Sequence, residues 1–196
     1  MKKIYISIIT LLISFNIVAQ NNQKSFTPND SILLRQLVDQ FDKILMKYYP
    51  GEQIATCYKN YITDVSKQKG NINMLYEQNP IQLIQSIKET PLFDKIWKLY
   101  TMKPNYSTNS KNPSESKESP NSVFIIDFNG TFFNELIKNC NNKEMKDSYK
   151  TIKEVGGVNP IIFSNALVIG YTDQDYELYE TKLAIAIMFY YSFILK

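Results

Sequence analysis

Histidine is absent from the 196 residues, and Arg35 is the only arginine among 22 basic side chains. Without an imidazole the chain has no Ser-His-Asp or Cys-His nucleophile pair, no HExxH zinc site and no switch built on histidine titration. With one guanidinium it nearly lacks the bidentate forks that grip phosphates and carboxylates. A large charge of either sign is also missing. Setting aside Lys2 and Lys3, for the reason given below, leaves 20 basic against 19 acidic side chains. Near neutrality leaves no electrostatic footprint for nucleic acid or an anionic membrane.

Cysteine is scarce, and the two present, Cys57 and Cys140, cannot make a zinc site alone. In an oxidising compartment they can form one disulfide, which would close a long loop worth roughly 4 kcal/mol in the chain-entropy account. The competing reading makes each a small core residue, because apolar neighbours surround both at helical spacing: Ile54, Tyr58 and Tyr61, then Leu136 and Ile137. Neither has a base to activate it, so thiol catalysis is not expected.

What is there begins with an export signal. Met1-Lys2-Lys3 supplies the positive start, Ile4 to Phe15 is mostly apolar, and Asn16-Ile17-Val18-Ala19 ends on a small residue. The apolar run is short of the ~20 residues that a spanning helix needs, so residues 1–19 read as a cleaved signal peptide. The mature chain, 177 residues from Gln20, is expected to be soluble, without a membrane span, and periplasmic or secreted.

The mature sequence reads as mainly α, a helical bundle-like domain with at most a small β element near 123–128. Thr27-Pro28-Asn29-Asp30 writes a capped helix start, and Leu34, Leu37, Val38, Phe41, Ile44 and Leu45 keep helical spacing until Tyr49-Pro50-Gly51. A second helix is predicted from Glu52 to Lys67. Asn79-Pro80 and Thr90-Pro91 start two more, the latter presenting Phe93, Ile96, Trp97 and Tyr100. Residues 20–102 thus read as one all-helical layer.

Residues 103–122 hold six serines, three prolines and almost no apolar side chain but Tyr106, so they read as a flexible linker or loop. Residues 123–196 form the second helical part, expected to pack with the first as one domain. Val123 to Phe128 favours a strand, and Asn129-Gly130 a turn. Beyond it lies either a hairpin into Thr131-Phe132-Phe133 or a helix capped by Thr131; the sequence favours the helix. A helix to Val155 stops at Gly156-Gly157, which lacks the Lys-Ser/Thr of a phosphate loop. The run 161–169 is readable as helix or strand. Thr172 and Asp175 form a second capping box, expected to open a final helix that is apolar on nearly every face from Leu183 to Leu195, the predicted central axis of the core.

Chemistry without histidine would fall to carboxylates. Asp127, a lone acid inside an apolar run, and Glu135 are the catalytic candidates; as a pair they would serve as acid and base of a hydrolase acting on an envelope polymer. The plainer reading of Asp127 is turn chemistry before Asn-Gly. Asp173, Asp175, Glu177 and Glu180 lack EF-hand spacing and suit a helix N-terminus, so no metal and no cofactor is expected. Tyr48, Tyr49, Tyr58 and Tyr61 are the binding candidates, because tyrosine offers contact area and a hydroxyl at low entropy cost; their alternative is the core. The function expected is a non-enzymatic protein-binding module, such as an inhibitor, an immunity-type protector or an envelope assembly factor.

Overall fold

The computed structural model describes residues 25–51, 53–101 and 122–195. Residues 1–19, read above as a signal peptide, and all of the 103–122 segment except Ser122 lie outside the described residues. The fold is mainly helical with one small antiparallel sheet.

Helix α1 (Pro28–Tyr48) starts as the sequence predicts. The Thr27 hydroxyl accepts from the Asp30 amide at 3.1 Å, and the Asp30 carboxylate accepts from the Thr27 amide at 2.7 Å. Its inner face buries Leu34, Leu37, Val38, Phe41, Ile44 and Leu45. Helix α2 (Ile54–Ser66) buries Ala55, Cys57, Tyr58, Tyr61 and Ile62. A 3-10 turn (Ile72–Tyr76), α3 (Gln78–Lys88) and the single-turn-plus α4 (Pro91–Ile96) follow.

Residues 20–102, expected to be all helical, also contribute a strand. The helix begun at Pro91 ends at Ile96, and Trp97–Thr101 is strand β1. It pairs antiparallel with β2 (Ser122–Ile126), with Trp97 opposite Ile126, Leu99 opposite Phe124 and Thr101 opposite Ser122. Residues 102–121 therefore connect two strand ends that lie side by side. One core cluster takes side chains from both flanks of that connection, Leu37 and Phe41 from one and Tyr149 and Phe189 from the other.

After β2 the chain turns at Asn129-Gly130 and enters α5 (Thr131–Asn139), whose N-cap is Gly130 and not the predicted Thr131. Helix α6 (Lys143–Glu154) is capped by Asn142, whose side chain accepts from the Met145 amide at 3.1 Å. It stops at Gly156 (φ 75°) and Gly157 (φ 139°), left-handed conformations that a Cβ resists. The run of unsettled type is helix α7 (Pro160–Gly170), started by the Asn159 side chain, and it packs along α2.

The second capping box forms, but it opens only a 3-10 turn (Asp173–Glu177). The last helix, α8, begins at Tyr179 and runs through Ile185, a wider π-helical stretch Ala186–Tyr191, and Ser192–Ile194. Every residue from Leu183 to Ser192 is buried. Fully burying a side chain such as Phe189 contributes roughly 1.5–3 kcal/mol. The polar groups carried inward are satisfied: the Tyr190 hydroxyl donates to the Met74 carbonyl at 2.8 Å and the Tyr191 hydroxyl to the Leu37 carbonyl at 2.9 Å. The Ser192 hydroxyl donates to the Ile187 carbonyl at 2.8 Å and accepts from the Trp97 indole at 3.1 Å, tying β1 to the π-helical stretch. Among the described residues no helix is long and apolar enough to cross a membrane.

Candidate functional site

The two acids singled out by sequence stand apart in role. Asp127 closes β2, and its carboxylate accepts from Lys98 at 2.9 Å and from the Asn129 amide at 3.3 Å. Its carbonyl accepts from the Gly130 amide at 2.8 Å, and a Cβ on Gly130 would stand only 3.0 Å from that oxygen. This is the turn chemistry of an aspartate before Asn-Gly, and it engages the carboxylate. Glu135 projects from α5, 3.4 Å from Lys138, into a groove that Asp127 does not line.

The tyrosine candidates divide in the same way. Tyr58 and Tyr61 are buried in the core against Phe41, with edge-to-face ring centroids 5.4 and 5.3 Å away, and the Tyr61 hydroxyl donates to the Phe189 carbonyl at 2.8 Å. They are core residues with satisfied or enclosed hydroxyls and not a binding surface. Tyr48 and Tyr49 are half-buried. The Tyr48 hydroxyl donates to Glu77, which also pairs with Lys47, and the Tyr49 hydroxyl accepts from the Asn71 amide at 3.4 Å.

Cys57 and Cys140 are free thiols and do not form the disulfide that their number allowed. Each packs into its own surroundings, with Cys57 Sγ 3.6 Å from the Gln53 carbonyl and Cys140 Sγ 3.4 Å from the Asn142 carbonyl. Burial pushes both thiols up, away from the nucleophilic thiolate. Asp173 pairs with Lys59, and Asp175 is held by the Thr172 amide and hydroxyl. Among the described residues no three acids or thiols are grouped to hold a metal ion.

Two features of the surface go beyond the sequence candidates, the first of them taking in Glu135. The first is a groove of about 390 Å³ where α1, α5 and α8 meet. Leu34, Phe132, Leu136 and Leu183 form its buried apolar floor, and Asp39, Glu135, Glu180 and Arg35 its rim. Arg35 lies over the Tyr179 ring, 5.5 Å from its centroid. Burial raises the Tyr179 hydroxyl above its ordinary range, Arg35 opposes that rise, and the charges of Asp39 and Glu180 add to it, so all three ionic groups bear on one aromatic wall.

The second feature is the outer face of α7. Only Phe163, Ser164 and Leu167 of this helix are buried, whereas Ile162 is 64 % and Ile169 85 % exposed. Seven residues apart, these two side chains share one face two turns along. Val155, at the end of α6, is 70 % exposed, and a shallow groove of about 370 Å³ between α6 and α7 is lined by Ile152, Val158, Ile162, Phe163 and Ala166. Sequence reasoning missed this face because the run 161–169 carries only two polar residues, Ser164 and Asn165, and the first is buried while the second is exposed, so the pattern does not tell the inner side from the outer. Compared with models of protein families, with curated proteins and with solved structures, the chain matches none.

Proposed function

We propose that this chain is an exported, non-enzymatic module that binds another protein through the outer face of α7, as an inhibitor, an immunity-type protector or an envelope assembly factor would. The observation that carries the reading is the exposure of Ile162 and Ile169 on one helical stripe beside the α6/α7 groove. Contiguous apolar surface in water is unfavourable by roughly 25 cal/mol per Å², and a partner that covers it regains that free energy. Support also comes from the sequence, which has no histidine for acid-base or nucleophilic work, and from the engagement of Asp127 in its own turn.

The test is a photo-crosslinking residue placed at Asn165, exposed on the same helix, in the native cells. A discrete adduct that disappears in the Ile162→Asp/Ile169→Asp variant is expected; no adduct from the folded protein overturns the reading. Export is tested separately by mass spectrometry of the mature product, which is expected to begin at Gln20 because the small-residue boundary lies at Ala19. An intact Met1 in that product overturns it.

A further inference from the structure

We propose that the groove between α1, α5 and α8 is a binding site for a small organic amine, an ammonium group carried on an apolar stem. Three properties of the groove converge on that chemistry. Its volume, about 390 Å³, falls within the range of small-ligand sites, and its floor of Leu34, Phe132, Leu136 and Leu183 suits a hydrocarbon stem. Its rim carries three carboxylates, Asp39, Glu135 and Glu180, against one guanidinium, Arg35. Among the described residues neither Asp39 nor Glu180 has an ion-pair partner.

The aromatic wall supplies the third property. Tyr179 already holds a cation against its face, with Arg35 5.5 Å from the ring centroid, and Phe26 and Phe132 line the same concavity. An ammonium entering here meets the rim carboxylates, which attract it, and aromatic side chains among the lining residues. An alkyl carboxylate would gain Arg35 but face three like charges. A neutral alcohol would take the floor and gain nothing from the rim charges. The groove shares no lining residue with the α6/α7 surface, so this site stands independently of the protein-binding reading.

The experiment follows the methyl resonances of Leu34, Leu136 and Leu183 in the full exported chain during titration with n-hexylammonium, n-hexanol, n-hexanoate and the peptide-like Nα-acetyl-lysine methylamide. Saturable shifts with hexylammonium are expected, about tenfold tighter than with hexanol and weakened by added salt, with no saturation by hexanoate. The double variant Asp39→Asn/Glu180→Gln removes two rim charges without touching the floor. It is expected to lose about tenfold in affinity for hexylammonium and to keep its affinity for hexanol. Ile162→Asp/Ile169→Asp, which disables only the α7 face, is expected to bind the amine unchanged. Equal affinity for hexanol and hexylammonium, preference for hexanoate, or undiminished amine binding by the folded rim variant overturns the proposal. Saturation by the lysine amide without saturation by hexylammonium also overturns it, because the cation would then come from a peptide chain.

Discussion

Helices α7 and α8 are both almost wholly apolar in sequence, yet they occupy opposite surroundings. From Leu183 to Ser192 every residue of α8 is enclosed, whereas α7 leaves Ile162 and Ile169 in water. Composition alone would give both the same place in the core. What separates them is the number of sides on which the chain supplies neighbours. Around α8 stand α1, α2, α5 and the strand pair: the Tyr61 hydroxyl donates to its backbone, the Trp97 indole to its Ser192, and its own Tyr191 hydroxyl to the Leu37 carbonyl of α1. Helix α7 lies on α2 with α6 beside it, and its far face receives no element among those described. An all-apolar helix therefore marks either a core axis or an uncovered interface, and only the tertiary neighbours decide.

The largest expected effect tests that division directly. Ile187→Asp or Phe189→Asp places a carboxylate at a position 0 % or 1 % exposed, where no cation waits for it. A cost of several kcal/mol is expected, comparable to the whole stability of a typical domain, and circular dichroism with thermal melting should report loss of the fold. A mutant that keeps its melting transition and merely leaves a membrane fraction would refute the central-helix assignment.

The ion pair buried in this core supplies each charge with its partner. Lys95 and Asp30 are both buried, and the Lys95 ammonium donates to the Asp30 carboxylate and to the Ser25 carbonyl. Lys95→Met leaves the aspartate enclosed and uncompensated, so about 3–5 kcal/mol of destabilisation is expected in denaturant titration. Burial pushes the Asp30 carboxyl up, but hydrogen bonds from Lys95 and Thr27 outweigh it and hold the group below the ordinary carboxylate range. A carboxyl depressed by folding stabilises the native state above its unfolded value, about 3.9, and that contribution is lost as pH falls through the folded value. The wild-type midpoint should therefore fall below about pH 4, and the Lys95→Met variant should lose that part of its acid sensitivity.

A smaller effect is expected at Ser192, the polar residue that interrupts the apolar run of α8. Ser192→Ala strands the Trp97 indole and leaves the Ile187 carbonyl short of one donor. The expected cost is about 1–3 kcal/mol, with Trp97 fluorescence shifted to the unfolding-sensitive range at lower denaturant. An unchanged midpoint would show that the π-helical stretch does not depend on this contact.

Much of the fold was legible where a signal was local. The Thr27-Pro28-Asp30 start and the Gly156-Gly157 stop each concern groups within four residues, and each forms as read. Signals failed where the deciding partner is distant. Phe93, Ile96, Trp97 and Tyr100 keep helical spacing, but Trp97–Thr101 is claimed by a strand more than twenty residues on, which propensity over a short window cannot see. Thr172 and Asp175 form their box, yet only one 3-10 turn follows, because a cap specifies a start and not a length. Of the groove's charged rim, the sequence singled out Glu135 as a catalytic candidate and Glu180 only as part of a helix N-terminus. The groove's walls come from three segments, Phe26 to Asp39, Phe132 to Asn139 and Tyr179 to Leu183, that share no pattern until they are folded together.

The smallest effect on stability carries the most functional weight. Ile162→Asp/Ile169→Asp adds two carboxylates at positions already in water, so no desolvation opposes them and no core contact is lost. Surface substitutions of this kind change stability by about 0.5 kcal/mol or less each, and the melting curve should nearly overlay that of the wild type. The same substitution at Ile187 or Phe189 is expected to destroy the fold, so chemistry is held constant and surroundings alone vary. If the α7 variant also unfolds, Ile162 and Ile169 belong to the core and the apolar face is not a surface. If it folds but keeps the Asn165 crosslink, the face exists and the partner does not use it. The expected result is a folded protein without the adduct, which separates a helix made to be covered by another molecule from one made to be covered by its own chain.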